Sequence, residues 1–192
     1  MANKDAPFGL RPVGKLGSSI NNEGTSKYRI ANGTSGAIYQ GDPVILTGDG
    51  VVAVQNGVTT NNLGVFNGCF YNDPTTQKPT WKNYYPGSIT PTVGQIDAYV
   101  YDDPSQLFLI QDEGTLAQTN VGNNADFATY VAGSTVNGHS KVEMSSTAAA
   151  TAANLRIIRI SEDPENSDIS SANANWVVKF NEHLYYDNSA GI

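Results

Sequence analysis

The chain of 192 residues is 39% hydrophobic and 15% charged, and it carries a formal net charge of -7 at pH 7. That length suits one domain with an arm or a small lobe, and so low a charged fraction argues against a disordered acidic tail. An acidic chain with no cluster of Lys or Arg lacks the cations that dominate nucleic-acid affinity, so no direct contact with DNA or RNA is expected.

Residues 1–10 contain no apolar segment of the kind a secretory signal needs, and no run of 18 apolar residues provides a membrane-spanning helix; a cytoplasmic site of synthesis and no membrane contact are expected. Residues 1–27 have no hydrophobic period and are rich in Gly, Ser and Asn, which predicts an extended N-terminal arm ahead of a single β domain over 28–192. The arm nevertheless holds an apolar string with basic neighbours, and Phe8, Leu10, Arg11, Pro12, Val13 and Lys15 are its candidate contact residues. Two readings stay open, a solvated terminus and an arm that orders against a partner.

From Tyr28 onward the pattern is one of short strands and turns. Residues 28–31 and 37–40 read as strands, the first closed by Asn32-Gly33 and the second by Gly41-Asp42-Pro43. Val44-Ile45-Leu46-Thr47 and Val51-Val52-Ala53-Val54 flank Gly48-Asp49-Gly50, a hairpin signal; the spaced carboxylates and closing Glu of a calcium loop are missing. Residues 63–71 form the next strand, in which Gly64 and Gly68 suggest a bulge or a barrel bend. A turn at Asp73-Pro74 leads into 78–85, with Trp81, Tyr84 and Tyr85, and Pro86-Gly87 ends that run. Residues 97–101 alternate, Asp102-Asp103-Pro104 stops them, and 107–111 are apolar on both faces, the mark of a central strand.

Residues 115–118 are expected to make a helical turn, 123–130 a short helix or loop, and 145–154 an Ala-rich surface loop with at most one helical turn. Residues 155–160 and 175–181 are strands separated by a polar loop, and Trp176, Val178 and Phe180 share one side of the last. About eight to ten short strands with little helix predict an all-β fold, a β-barrel or β-sandwich of antiparallel strands.

Chemistry is sparse in this sequence. Cys69 has no partner for a disulfide and reads as a small buried hydrophobe. His139 and His183 stand in no metal-ligand spacing and read as solvated or hydrogen-bonded. Neither a G-x-S-x-G elbow nor a phosphate-binding glycine loop occurs. Carboxylates gather at Asp102-Asp103 and at Glu162-Asp163-Pro164-Glu165 with Asp168, where loop solvation is the expectation and a glycoside hydrolase using Asp102 or Glu162 is the rival. No catalytic, cofactor-binding or metal-ligating residue is therefore named. Trp81, Tyr84, Tyr85, Tyr99 and Tyr101 are candidate interface aromatics, with a sugar site as the alternative.

Four stretches carry a resemblance: Ala6-Pro7-Phe8-Gly9-Leu10-Arg11-Pro12-Val13; Gly41-Asp42-Pro43-Val44 with its hairpin; Gly64-Val65-Phe66-Asn67-Gly68-Cys69 running on to Asn83-Tyr84-Tyr85-Pro86; and Val121-Gly122-Asn123-Asn124-Ala125-Asp126 with the closing Trp176-Val177-Val178-Lys179-Phe180-Asn181. Together they span nearly all of residues 6–186, and the chain resembles the capsid decoration, or cement, proteins of tailed phages, small structural virion proteins encoded near the major capsid protein. The resemblance implies a β protein on the outer capsid surface of the virion, a homo-oligomer (dimer or trimer) whose partner is the major capsid protein. It implies no catalytic residues and no cofactor. Other virion roles, such as a head fibre, a tail part or a glycan-binding receptor module, are the alternatives.

Overall fold

A computed structural model describes residues 2–17, 24–48, 52–54, 61–149 and 153–186. In chain order its strands are β1 (Arg11–Lys15), β2 (Ser26–Ile30), β3 (Pro43–Leu46), β4 (Val52–Val54), β5 (Asn62–Asn72), β6 (Pro79–Lys82), β7 (Ile96–Tyr101), β8 (Gln106–Gln111), β9 (Asn124–Phe127), β10 (Met144–Ala149), β11 (Leu155–Ile160) and β12 (Asn175–Phe180). The only helical element among the described residues is a single 3-10 turn at Gln118–Asn120. The fold is all-β, as the turn-punctuated pattern predicts.

The strands form two six-stranded antiparallel sheets. The first runs β1-β8-β12-β11-β9-β10; the second runs β2-β7-β5-β3-β4, with β6 also paired to β5. The second sheet curls until β2 and β4, the two ends of its path, are again neighbours. Each sheet wraps its own hydrophobic cluster. Phe108, Ile110, Leu155, Ile157, Trp176 and Phe180 fill the first; Ile30, Val44, Leu63, Phe66, Ile96 and Val100 fill the second.

Strand β5 is the wall between the two. Val65 packs in the first cluster, while Leu63 and Phe66 pack in the second. A regular strand cannot send residues 63 and 66 to one side, because side chains alternate. One bulge permits it, and a second returns Cys69 to the same side as Phe66. Val44 pairs with Gly64 but Ile45 with Asn62, which leaves Leu63 without a partner on β3; Phe66 pairs with Val100 but Gly68 with Tyr99, which leaves Asn67 without one on β7. The glycines at 64 and 68 mark these irregularities, as expected from the sequence.

The hairpin of β3 and β4 is present, with Val44 opposite Val54 and Leu46 opposite Val52, and its tip at 49–51 lies outside the described residues. Strand β8 is interior, between β1 and β12. Three expectations need correction. Residues 124–127, read as helix or loop, form β9; residues 144–149, read mostly as surface loop, form β10 against it. Asn, Ala, Ser and Thr carry little period of their own, and pairing on the neighbouring strand decides their state. The helical turn comes at Gln118–Asn120 instead of 115–118.

The N-terminal segment also differs from the arm set apart from the body. Over residues 2–17 it is laid along the body. Leu10 is 2% exposed inside the first cluster, and Arg11–Lys15 pairs with β8 as the edge of the first sheet. Further upstream the main chain is gripped by side-chain amides: the Lys4 carbonyl accepts from Gln111 Nε2 at 2.9 Å and Asn166 Nδ2 at 2.8 Å, and the Ala6 N–H donates to Gln111 Oε1 at 2.9 Å. Leu10, one apolar residue of this segment, thus finds its partners in its own chain.

Candidate binding groove and aromatic face

The backbone of residues 8–12 crosses the turn at 40–42, where the Leu10 N–H donates to the Gly41 carbonyl at 2.9 Å and the Gly41 N–H donates to Phe66 O at 2.9 Å. Beside this crossing lies a groove of about 130 Å³. Phe8, Leu10, Arg11 and Pro12 line it on the N-terminal side, and Tyr101, Phe66 and His139 line it elsewhere. The Arg11 guanidinium sits 4.5 Å above the Phe8 ring, an arrangement that orients the cation. Gln40 Nε2 donates to Asn67 Oδ1 at 2.9 Å, bracing two more groove residues.

The structure therefore brings together four of the six candidate arm residues, though not in one role. Leu10 is buried and serves the core, Phe8 and Pro12 are half-buried walls, and Arg11 is exposed. Val13 and Leu16 project from the segment, 45% and 48% exposed. Lys15 is occupied by an ion pair with Asp103 at 2.6 Å. Pro12 costs β1 little, since an edge strand can spare the missing N–H.

The candidate aromatics divide. Tyr85 is fully buried, its hydroxyl donating to Thr34 O at 3.0 Å and accepting from the Ile89 N–H at 3.2 Å. Tyr84 stacks on Tyr39, with ring centroids 5.8 Å apart, and Tyr101 belongs to the groove. Trp81 and Tyr99 remain as a pair, centroids 5.1 Å apart and planes tilted by 59°. Phe70, opposite Trp81 on β5, joins them on the surface; the cross-strand register was the only signal for it, and register is not readable from sequence.

Most of the ionisable residues singled out in the sequence have local partners among the described residues. Asp102 accepts from Ser26 Oγ at 2.9 Å and Tyr28 OH at 2.6 Å, and Glu162 is exposed on a loop. Asp163 and Asp168 accept backbone N–H groups of their own turns. Asp112 is buried beneath Trp176, whose indole N–H donates to it at 2.9 Å; burial raises its carboxyl to about 6. His183 is buried rather than solvated, its Nδ1 accepts the Tyr185 N–H at 3.1 Å, and burial lowers it to about 4, so it is neutral near pH 7. His139 is exposed at the groove. The Cys69 thiol is buried, and burial pushes it up to about 12, which keeps it protonated near pH 7. Among the described residues no group of three or more His, Cys, Asp or Glu is placed to hold a metal ion.

No family model matches this sequence, and comparison with curated proteins and with solved structures gives no significant match. The site's chemistry must be read from its own residues. The groove's lining includes a cation, an imidazole and two carboxamides beside the apolar residues Phe8, Leu10, Pro12 and Phe66.

Proposed function

We propose that this chain is a structural component of a tailed-phage particle that binds the outer capsid surface and stabilises contacts between major capsid protein subunits as a homo-oligomer. The observation that carries the reading is the division of labour in residues 8–16. Leu10 fixes the segment in the core, while Arg11, Val13 and Leu16 are exposed along β1, which is an edge strand of the first sheet among the described residues, next to the groove. An unpaired sheet edge with exposed aliphatic side chains is an adhesive surface. The sequence resemblance over residues 6–186 points the same way.

The mechanism is one of linkage. A protein that binds the assembled shell and not the free subunits stabilises the shell by mass action, and at 100 times its Kd each occupied site contributes about 2.7 kcal/mol. The rigid β body spares the partner the ordering cost of a disordered clamp.

The test is retention on expanded shells that lack the protein. Purified chain is expected to cosediment with them and to give density on the outer surface. A Val13→Asp/Leu16→Asp double variant is expected to bind at least tenfold more weakly with an unchanged melting temperature. Protein that stays in the supernatant, or a double variant retained like the parent, overturns the reading.

A further inference from the structure

We infer that the outer face of the second sheet carries a saccharide-binding platform centred on Trp81 and Tyr99, and the inference shares no residue with the groove. Register builds it. Arg29, Asp97, Phe70 and Trp81 stand in one row across β2, β7, β5 and β6, and Lys27, Tyr99 and Gly68 stand in the row beside it. The indole rests on the backbone of Gly68: a Cβ there would lie 2.6 Å from Trp81 Cζ2. That missing side chain lets the ring lie down on the sheet beside Tyr99 and yet leaves Trp81 51% exposed, with Phe70 at 38%.

The polar rim is of the kind that hydroxyl groups use. Asp97 accepts from Lys27 Nζ at 3.2 Å and from Gln95 Nε2 at 2.9 Å, and Arg29 stands next to it in the row. An indole face with its negative quadrupole attracts the C–H face of a pyranose, while carboxylate, amide and guanidinium groups bond the ring's hydroxyls.

Area and charge decide against other occupants. The partly exposed rings offer roughly 200–300 Å², judged from the 150–250 Å² that each aromatic side chain buries when fully covered. A stable protein partner needs about 800 Å² from each side. One or two sugar rings match the smaller figure. A quaternary ammonium, the other usual guest of aromatic rings, would meet the cations Lys27 and Arg29 in the same two rows.

The experiment screens the intact protein against arrayed neutral and acidic oligosaccharides, then titrates the retained sugars while following tryptophan emission. Trp176 is fully buried, so a sugar-dependent change reports Trp81. Saturable binding with a shift in emission is expected, weakened at least tenfold in Trp81→Ala and in Tyr99→Ala with melting temperatures within a few degrees of the parent. Tyr99→Phe, which keeps the ring, is expected to retain binding and guards against a folding artefact. No retained sugar, affinity unchanged in both alanine variants, or Trp81 emission that varies with protein concentration in the absence of sugar and so marks a second copy on this face, overturns the inference.

Discussion

Glu143 shows how one side chain can make the fold sensitive to pH. It precedes Met144, which bridges Asp112, and the Met144 carbonyl accepts the Glu113 N–H at 3.0 Å. Burial, and then the charges of Asp5, Glu113 and Asp112, raise its carboxyl to about 7. A carboxyl raised in the folded state is stabilising below its unfolded value of about 4.5 and loses that contribution as pH climbs through 7. Glu143→Gln is therefore expected to melt higher than the parent at pH 8, by about 2–4 °C, and to match it at pH 4.5. The gain is held to about 1 kcal/mol because the group is partly solvated and screened. Equal melting curves at both pH values would show that the neighbouring charges are too well solvated to matter. His183 works in the opposite sense: its depressed value favours the fold above pH 6.5 and withdraws support as pH falls toward 4.

Among the elements, β5 bears the tightest constraint. At Gly64 the φ is 153°, and a Cβ would run into the carbonyl oxygen of Tyr101 and lie 3.1 Å from the Asp102 Cα. Backbone cannot yield as a flexible side-chain tip can, so Gly64→Ala is expected to cost more than about 3 kcal/mol, or to abolish folding, whereas a substitution at the exposed Gly48, where a Cβ would meet nothing within 4 Å, should be far milder. Thermal melts of the two variants side by side check this. A Gly64→Ala protein as stable as the parent would mean that β5 and β7 can separate without penalty. The glycine signal was legible in the sequence, and so were the aliphatic runs of β3, β8, β11 and β12 and the Asp-Pro turns. Asp73, Asp103 and Asp163 each accept a backbone N–H two residues on, the local reason those turns close. Strands β9 and β10 were not legible, because Asn124, Ala125, Ser145 and Thr147 become strand only through their pairing. Nor was the division of the aromatics: Tyr84 and Tyr85 are adjacent in sequence, yet Tyr85 is buried in the second cluster and Tyr84 stacks on Tyr39.

For the whole molecule, the N-terminal segment is part of the body, and this was hidden because its bonds span the chain. Gln111 and Asn166 are both buried and both hold the Lys4 carbonyl. Deleting residues 2–10 removes the burial of Leu10, worth about 2 kcal/mol, and three hydrogen bonds to Gln111 and Asn166, at about 0.5–1.5 kcal/mol each. The truncated protein is expected to melt at least 10 °C lower or to fail to fold, by circular dichroism or calorimetry. A truncation that melts like the parent would return these residues to the status of a dispensable arm. Strand order has a further consequence for biosynthesis. Residues 175–180, the last strand described, sit in the interior of the first sheet, between β8 and β11. Until the ribosome has released them, two unpaired strand borders face solvent, so nascent chains should depend on chaperones and on slow translation more than the finished protein's stability would suggest.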